Sequence, residues 1–163
     1  MIPKPNPNDD TTDREILITR TFEAPRELVW QAVTDPKHVS NWWGPRGFTT
    51  TTEEIDVRPG GFWKHTMVGP DGTRYPNYSI FKEIVKPERI VYLLGENRED
   101  AERGYLTGIW TFEVVDGNKT KVTLRAIFPS AEARAAAIKE VGAEEGGKQT
   151  LERLGEYLPT MTA

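Results

Sequence analysis

The stretch Asn41-Trp42-Trp43-Gly44-Pro45-Arg46-Gly47-Phe48, NWWGPRGF, decides how the rest of the chain is read. It sets two of the five tryptophans side by side, then follows them with a Gly-Pro pair that suits neither a helix interior nor a central strand. So much aromatic surface at a chain-breaking corner has two readings: a plug of the hydrophobic core, or the wall of a ligand cavity. Adjacent residues on a short helix point about 100° apart, so both rings cannot face one pocket. Trp43 is assigned to the cavity side and Trp42 to packing on the preceding helix.

Upstream of the corner, REILITRTF alternates Ile16, Ile18, Arg20 and Phe22 against Glu15, Leu17, Thr19 and Thr21, which predicts a first strand. APRELVWQAVTD then takes helical spacing, with Leu28, Val29, Ala32 and Val33 on one stripe and Trp30 beside it. A second short helix is expected in DPKHVSNWW, capped by Asp35, opened by Pro36 and ended by Gly44-Pro45. Downstream, residues 48–128 are rich in β-branched and aromatic residues punctuated by RPGG, GPDG, KPE and GN, which predicts six further antiparallel strands joined mostly by tight turns. ENREDAERG reads as a charged loop. After Pro129 the spacing turns helical again, through SAEARAAAIKEV, with Ser130 as its cap, and AEEGGKQTLERLGEYL. The resulting class is α+β: a curved antiparallel sheet covered on one face by a long C-terminal helix, with two short helices after strand 1.

Composition narrows the function classes. A chain of 163 residues fits one domain. We place that domain at residues 14–160 and treat residues 1–13, MIPKPNPNDDTTD, as a flexible tail. Net charge is -4 with both signs mixed, so no basic stripe points to nucleic acid or to an anionic membrane surface. No cysteine is present, which removes disulfides, thiolate nucleophiles and cysteine metal sites and fits a cytoplasmic protein. Apolar runs fall far short of the ~20 residues that span a bilayer, so no membrane insertion is expected. RPGG and GPRG do not open a helix followed by Lys-Ser/Thr, so no phosphate loop exists, and no cofactor motif is found. Nor does any serine sit in a Gly-x-Ser-x-Gly elbow.

NWWGPRGFT, EIDVRPGGFWKHTMVGPDGTRYPNYSIFKEIVKPERIVY and TFEVVDGNKTKVTL together resemble the family homologous to the activator of heat shock protein 90 ATPase. That family sits in the SRPBCC superfamily of START-like, birch-pollen-allergen-like helix-grip domains, and the likeness spans residues 14–158. It implies a seven-stranded sheet gripping a C-terminal helix, with a hydrophobic cavity between them in many members. Superfamily relatives bind lipids, hormones or aromatic polyketides, and some are cyclases. The eukaryotic namesake stimulates a chaperone. One departure stands out: where the family has a bulky residue after Glu-Gly in the last helix, this chain has Glu145-Gly146-Gly147. Glycine costs about 0.8–1 kcal/mol against alanine in a helix interior. We therefore expect Gly146 and Gly147 to kink the helix or to open the roof of the cavity.

Strand alternation proposes the lining. Trp63, His65 and Met67 share one face of FWKHTMV, and Trp110, Phe112 and Val114 align with Val122, Leu124, Ala126 and Phe128. Their opposite neighbours Thr111, Glu113, Thr123 and Arg125 are polar, so that face is expected to be solvated. The candidate ligand-binding set is Trp43, Trp63, His65, Met67, Tyr78, Tyr92, Trp110, Phe112 and Gly147. For any single member, plain core packing is the simpler reading. His65 can serve as acid, base or polar handle, or as a hydrogen-bonded structural histidine. His38 on a surface helix is expected to do nothing special, and two such histidines do not make a metal site. Glu54 and Asp56 share a strand face with Arg58, either a pair dividing acid and base roles or a surface ion network. Three functions remain open. The leading one is binding of an apolar or aromatic small molecule, with no catalytic constellation to recognise. The others are a cyclase- or hydrolase-type enzyme using His65, Glu54 or Asp56, and a chaperone-activating module. A homodimer is possible, and nothing in the sequence specifies it.

Overall fold

The computed structural model describes residues 11–161, and its first strand, β1 (Glu15–Phe22), forms where the alternation predicts it. Ile16, Ile18 and Phe22 are buried on the inner face, while Leu17 on the other is 53% exposed. Helices α1 (Arg26–Thr34) and α2 (Pro36–Val39) then carry the chain across the inner face to β2 (Thr49–Asp56). From β2 the chain runs through β3 (Phe62–Val68), β4 (Arg74–Val85), β5 (Arg89–Gly95), β6 (Leu106–Val115) and β7 (Lys119–Ile127). The seven strands form one open antiparallel sheet in the order β1-β7-β6-β5-β4-β3-β2. Hairpins account for every neighbour except β1 with β7. The α1–α2 crossing is what places β1 and β2 at opposite edges.

Three helical expectations are corrected. Asp35 accepts from the Lys37 amide and Pro36 opens α2 as expected, but α2 ends at Val39, and turns carry the chain from there to Gly44. The charged loop contains a helix, α3 (Arg98–Glu102), capped by Asn97 and stapled by Arg98–Glu102 and Glu99–Arg103 pairs at i,i+4. The long C-terminal helix is present as α5 (Ala143–Tyr157), preceded by a separate α4 (Ala131–Val141). Ser130 caps α4, and the break falls at Gly142, whose φ of 62° lies in the left-handed region that glycine enters without strain. Gly146 and Gly147 lie inside α5 and do not interrupt it.

Helix α5 packs toward β1, burying Thr150, Leu151 and Leu154. Each fully buried leucine contributes roughly 1.5–3 kcal/mol. Trp30 of α1 meets Phe112 of β6 edge to face at 5.3 Å, so the core lies between α1, α5 and the inner face of the sheet. Val114, expected to point inward with Phe112, is 51% exposed beside the β6–β7 turn. The outer face is not wholly polar either: Val91, Ile109 and Ile127 form a small buried cluster there.

Residues 1–10 of the expected tail lie outside the described residues. Thr11 is buried and donates to Glu15 Oε2 at 2.8 Å, and Thr12–Arg14 form a 3-10 turn, so the packed chain reaches back to Thr11. Among the described residues no helix is long and apolar enough to cross a membrane.

Candidate functional site

The two adjacent tryptophans, on the turns after α2 and not on a helix, meet edge to face at 5.6 Å and point into different surroundings. Trp42 is 1% exposed, and its indole Nε1 donates to the carbonyl of Ala32 at 2.9 Å. That carbonyl's helical partner would be the amide of residue 36, and Pro36 has none. Trp42 therefore satisfies an acceptor that the sequence itself orphaned, next to the end of α1. Trp43 is half-buried and turns the other way, meeting Trp63 at 5.0 Å, Trp110 at 5.8 Å and His65 at 6.1 Å.

The turn after Trp43 is held by α5. Arg153 Nη1 lies 2.9–3.2 Å from the carbonyl oxygens of Trp43, Gly44, Pro45 and Phe48. One Nη1 has two hydrogens, so these four acceptors share them. Burial lowers the Arg153 pKa from its ordinary value, and the neighbouring Arg46 charge lowers it further. Arg46 in turn donates to Glu152 and Glu156 of α5. His38, expected to stand idle, pairs through Nδ1 with the Tyr157 hydroxyl at 2.7 Å.

Behind this corner the rings form a layer. Trp63 donates from Nε1 to Thr52 Oγ1 at 3.0 Å and stacks on His65 at 3.7 Å. Trp110 donates to the Tyr92 hydroxyl at 3.4 Å. Tyr92 lies flat over Gly108, its cross-strand partner, where any Cβ would overlap the phenol ring. Burial pushes the Tyr92 hydroxyl pKa up. The ligand-sized cavity expected between sheet and α5 is filled by these side chains. What remains is an apolar void of about 30 Å3, lined by Trp43, Trp63, Tyr92 and Trp110 together with Val33, Thr34, Ile55, Ser79, Phe81 and Ile90. By size it would hold about two waters, but its walls offer them almost no polar partner. Thr34 and Ile55 also line an open groove of about 640 Å3, shared with Glu27, Trp30, Gln31, Asp35, Pro36, Asp56, Val57 and Lys86. Void and groove thus adjoin at Thr34 and Ile55.

His65 is 2% exposed, and among the described residues neither ring nitrogen has a hydrogen-bond partner. It is not the hydrogen-bonded structural histidine of the plainer expectation. Burial pushes its pKa down to about 3, so the ring is neutral near pH 7. That also removes it as an acid poised near neutrality.

Of the nine candidates, Trp43, Trp63, Tyr92 and Trp110 meet around the void. His65 and Phe112 flank it on the same face, stacked on Trp63 and Trp110 respectively. Met67 faces inward near Gly44, away from the void. Tyr78 is on the wrong face: it pairs with Lys64 and stacks on Phe62 at 5.4 Å on the outer side of the sheet. Gly147 opens no roof, because a Cβ there would run into Ile18 Cδ1 of β1. Glu54 and Asp56 lie on the outer face opposite Lys64 and Phe62, with Arg58 donating to Asp56 at 2.7 Å. His65 is therefore on the other side of the sheet from both carboxylates. Among the described residues no group of three His, Asp or Glu side chains could hold a metal. Sequence reading missed Phe81, Ile90, Ile55 and Arg153. Phe81 was within reach, since the face carrying Ser79 and Phe81 is one residue out of step with Tyr78, and that single step decides inside from outside.

The profile of the family described as Activator of Hsp90 ATPase homolog 1-like protein matches residues 23–159. The chain belongs to this family. Solved structures place this member among bacterial relatives. A Mycobacterium smegmatis protein is 30% identical with a TM-score of 0.81, over 97% of this chain and 99% of that one. An Arthrobacter aurescens protein is 25% identical with a TM-score of 0.79, over 95% of this chain and 91% of that one. A Nitrosomonas europaea protein at 23% identity and a TM-score of 0.79, over 91% and 96%, shares the fold. No curated protein matches the chain. The open seven-stranded sheet with its C-terminal helix is thus the helix-grip fold of this family, and the resemblance read from NWWGPRGF and the strand motifs holds.

Proposed function

We propose that this family member binds a small apolar or aromatic molecule where the groove meets the ring layer, with the bound ring pressed against Trp43, Trp63, Tyr92 and Trp110. The observation that supports this reading is the apolar void, walled by rings and adjoining the open groove at Thr34 and Ile55. Side chains facing unfilled space forgo dispersion contacts that an inserted ring restores. A two-ring probe burying about 250 Å2 at ~25 cal/mol per Å2 contributes roughly 6 kcal/mol, so affinity should be no tighter than on the order of 10 µM. Polar groups in the wall are limited to Thr34, Ser79 and the Tyr92 hydroxyl, which suits a mostly apolar ligand.

Ligand-observed NMR and calorimetry with naphthalene and 2-naphthol test the proposal. Saturable binding is expected, weakened by Ile55→Trp, which blocks the junction of void and groove. If neither probe binds saturably to the wild-type chain, the reading is wrong.

A further inference from the structure

We infer that the outer face of the sheet carries a second, separate site, a crevice beside α3 that takes one ring of a neutral sugar. The crevice measures about 230 Å3 and lies across the sheet from the ring layer. Glu53 and Lys64 stand on one bank, Glu96 and Arg98 on the other, and Pro76 and Tyr78 form the floor. Two local irregularities build it. The β-bulge between Thr52 and Glu54 inserts Glu53, whose carboxylate accepts from the Thr66 hydroxyl on the outer face. Bulges gather at sheet edges and beside functional sites, where they re-aim a side chain. On the far bank, β5 ends at Gly95, opposite Tyr78. A Cβ there would run into the Ala101 amide, so only glycine lets α3 settle directly on the sheet and bring Glu96 and Arg98 to the crevice. Tyr78, 9% exposed, is fixed by its stack on Phe62 and by Arg98 beside its hydroxyl.

The chemistry of the two banks selects the ligand. Arg98 is already paired with Glu102 at 3.0 Å, and Glu53 is engaged by Thr66. Among the described residues, the Lys64 ammonium and the Glu96 carboxylate have no hydrogen bond and no ion pair. Two cations and two carboxylates line the crevice, so a small ion of either sign meets its own charge as well as the opposite one. A hydroxyl escapes that conflict, since it donates one hydrogen and accepts on two lone pairs. Neighbouring hydroxyls on one ring accept from Lys64 and donate to Glu96 together, and both bonds are of the charge-assisted, stronger kind. The C–H face of the same ring packs on Pro76 and on the Tyr78 phenol, whose apolar body and polar tip suit such a partner. Size keeps the ligand to a single ring, because pockets for drug-sized molecules run to roughly 300–1,000 Å3.

Amide chemical-shift titration of the full chain provides the test, with methyl β-glucoside, methyl β-galactoside and methyl α-mannoside as probes and cyclohexanol and glycine as controls. At least one glycoside should give saturable shifts at Lys64, Tyr78 and residues 96–98, with a Kd on the order of 1 mM. Cyclohexanol and glycine should leave those amides unmoved. Lys64→Met and Glu96→Leu, both at exposed positions and so compatible with the fold, should each weaken glycoside binding about tenfold. Neither substitution should alter naphthalene binding at the ring layer, so the two sites stand or fall separately. Absence of saturable shifts with all three glycosides overturns the site. Glycine or cyclohexanol binding the same amides as tightly as the glycosides overturns the sugar class. Unchanged glycoside affinity in both variants, or glycoside shifts confined to other residues, overturns the assignment to this crevice.

Discussion

Trp42 and Trp43 are adjacent in sequence and identical in chemistry, yet they end in two different kinds of surroundings. Trp42 is enclosed between α1 and the sheet with its one polar atom satisfied by a carbonyl that Pro36 left free. Trp43 faces a layer that includes an unfilled void and a histidine without partners, and its own nitrogen is unpaired among the described residues. The first environment is complete and the second is unfinished. A buried polar group kept without a partner costs stability, and such costs persist where a site needs the group for something else. The contrast locates the fold's anchor on one side of a single peptide bond and its candidate site on the other.

The largest effect should come from the completed side. Trp42→Ala removes a fully buried indole and leaves the Ala32 carbonyl orphaned, so urea unfolding should show a loss of about 3–5 kcal/mol. Trp43→Ala should cost less than half of that. Equal losses would erase the distinction between the two positions.

Arg153→Met keeps the aliphatic stem but deletes the donors to four carbonyls of the Trp43–Phe48 turn. A destabilisation of roughly 2–3 kcal/mol is expected, since hydrogen bonds from charged groups are the stronger kind. Faster amide exchange should be confined to residues 43–48 and the facing part of α5. If exchange rises evenly across the sheet instead, the clamp is not local.

His65 supplies a test with a defined pH window. Its folded pKa lies near 3 against an ordinary 6.5, so the unfolded chain binds the extra proton. Its contribution is fully present above pH 6.5 and is lost as pH falls toward 3, at on the order of 1 kcal/mol per pH unit. His65→Phe should flatten stability between pH 6.5 and 4.5, and at pH 7 should stabilise the protein by about 1 kcal/mol by removing two orphaned polar atoms. A mutant whose stability keeps the wild-type slope in that window would show that His65 is hydrated or paired after all.

Glu15 titrates lower down and gives the smallest effect. Burial raises its pKa, but hydrogen bonds from Arg125 and Thr11 outweigh that and hold it below 4.5. Its stabilisation is present above 4.5 and lost as pH falls through the lowered folded value. Arg125→Met should therefore lower stability by a constant amount above pH 4.5, a deficit that shrinks only as pH falls through the lowered Glu15 value, leaving the slope between 6.5 and 4.5 to His65. A changed slope in the upper window would mean the two regions are coupled.

Much of this was legible in the chain. The strand pattern of Ile16, Ile18 and Phe22 and the Asp35-Pro36 cap depend on neighbours a few residues apart, and they appear where periodicity puts them. The division of Trp42 from Trp43 was read from helical geometry, yet both lie on the turns after Val39, so packing and not a helix sets their directions. Tyr78 was misplaced because a period of two fixes which residues share a face but not which face points inward. Gly147 was misread because space beside a glycine depends on what stands opposite, here Ile18 from a strand about 130 residues earlier. The helix at Arg98–Glu102 was hidden in a run of charges whose i,i+4 pairs and Asn97 cap were written in the sequence but outweighed by its polarity.

Sequence alone determined the α+β class, the seven strands, the family and the corner at NWWGPRGF, because each rests on local periodicity, turn chemistry and motif order. Tertiary structure alone decided that the interior is nearly filled, that Arg153 grips the turn from 110 residues away, and that His65 is left unpartnered. Packing volume and hydrogen-bond satisfaction are sums over residues distant in the chain, and no window of sequence contains all the members of such a sum.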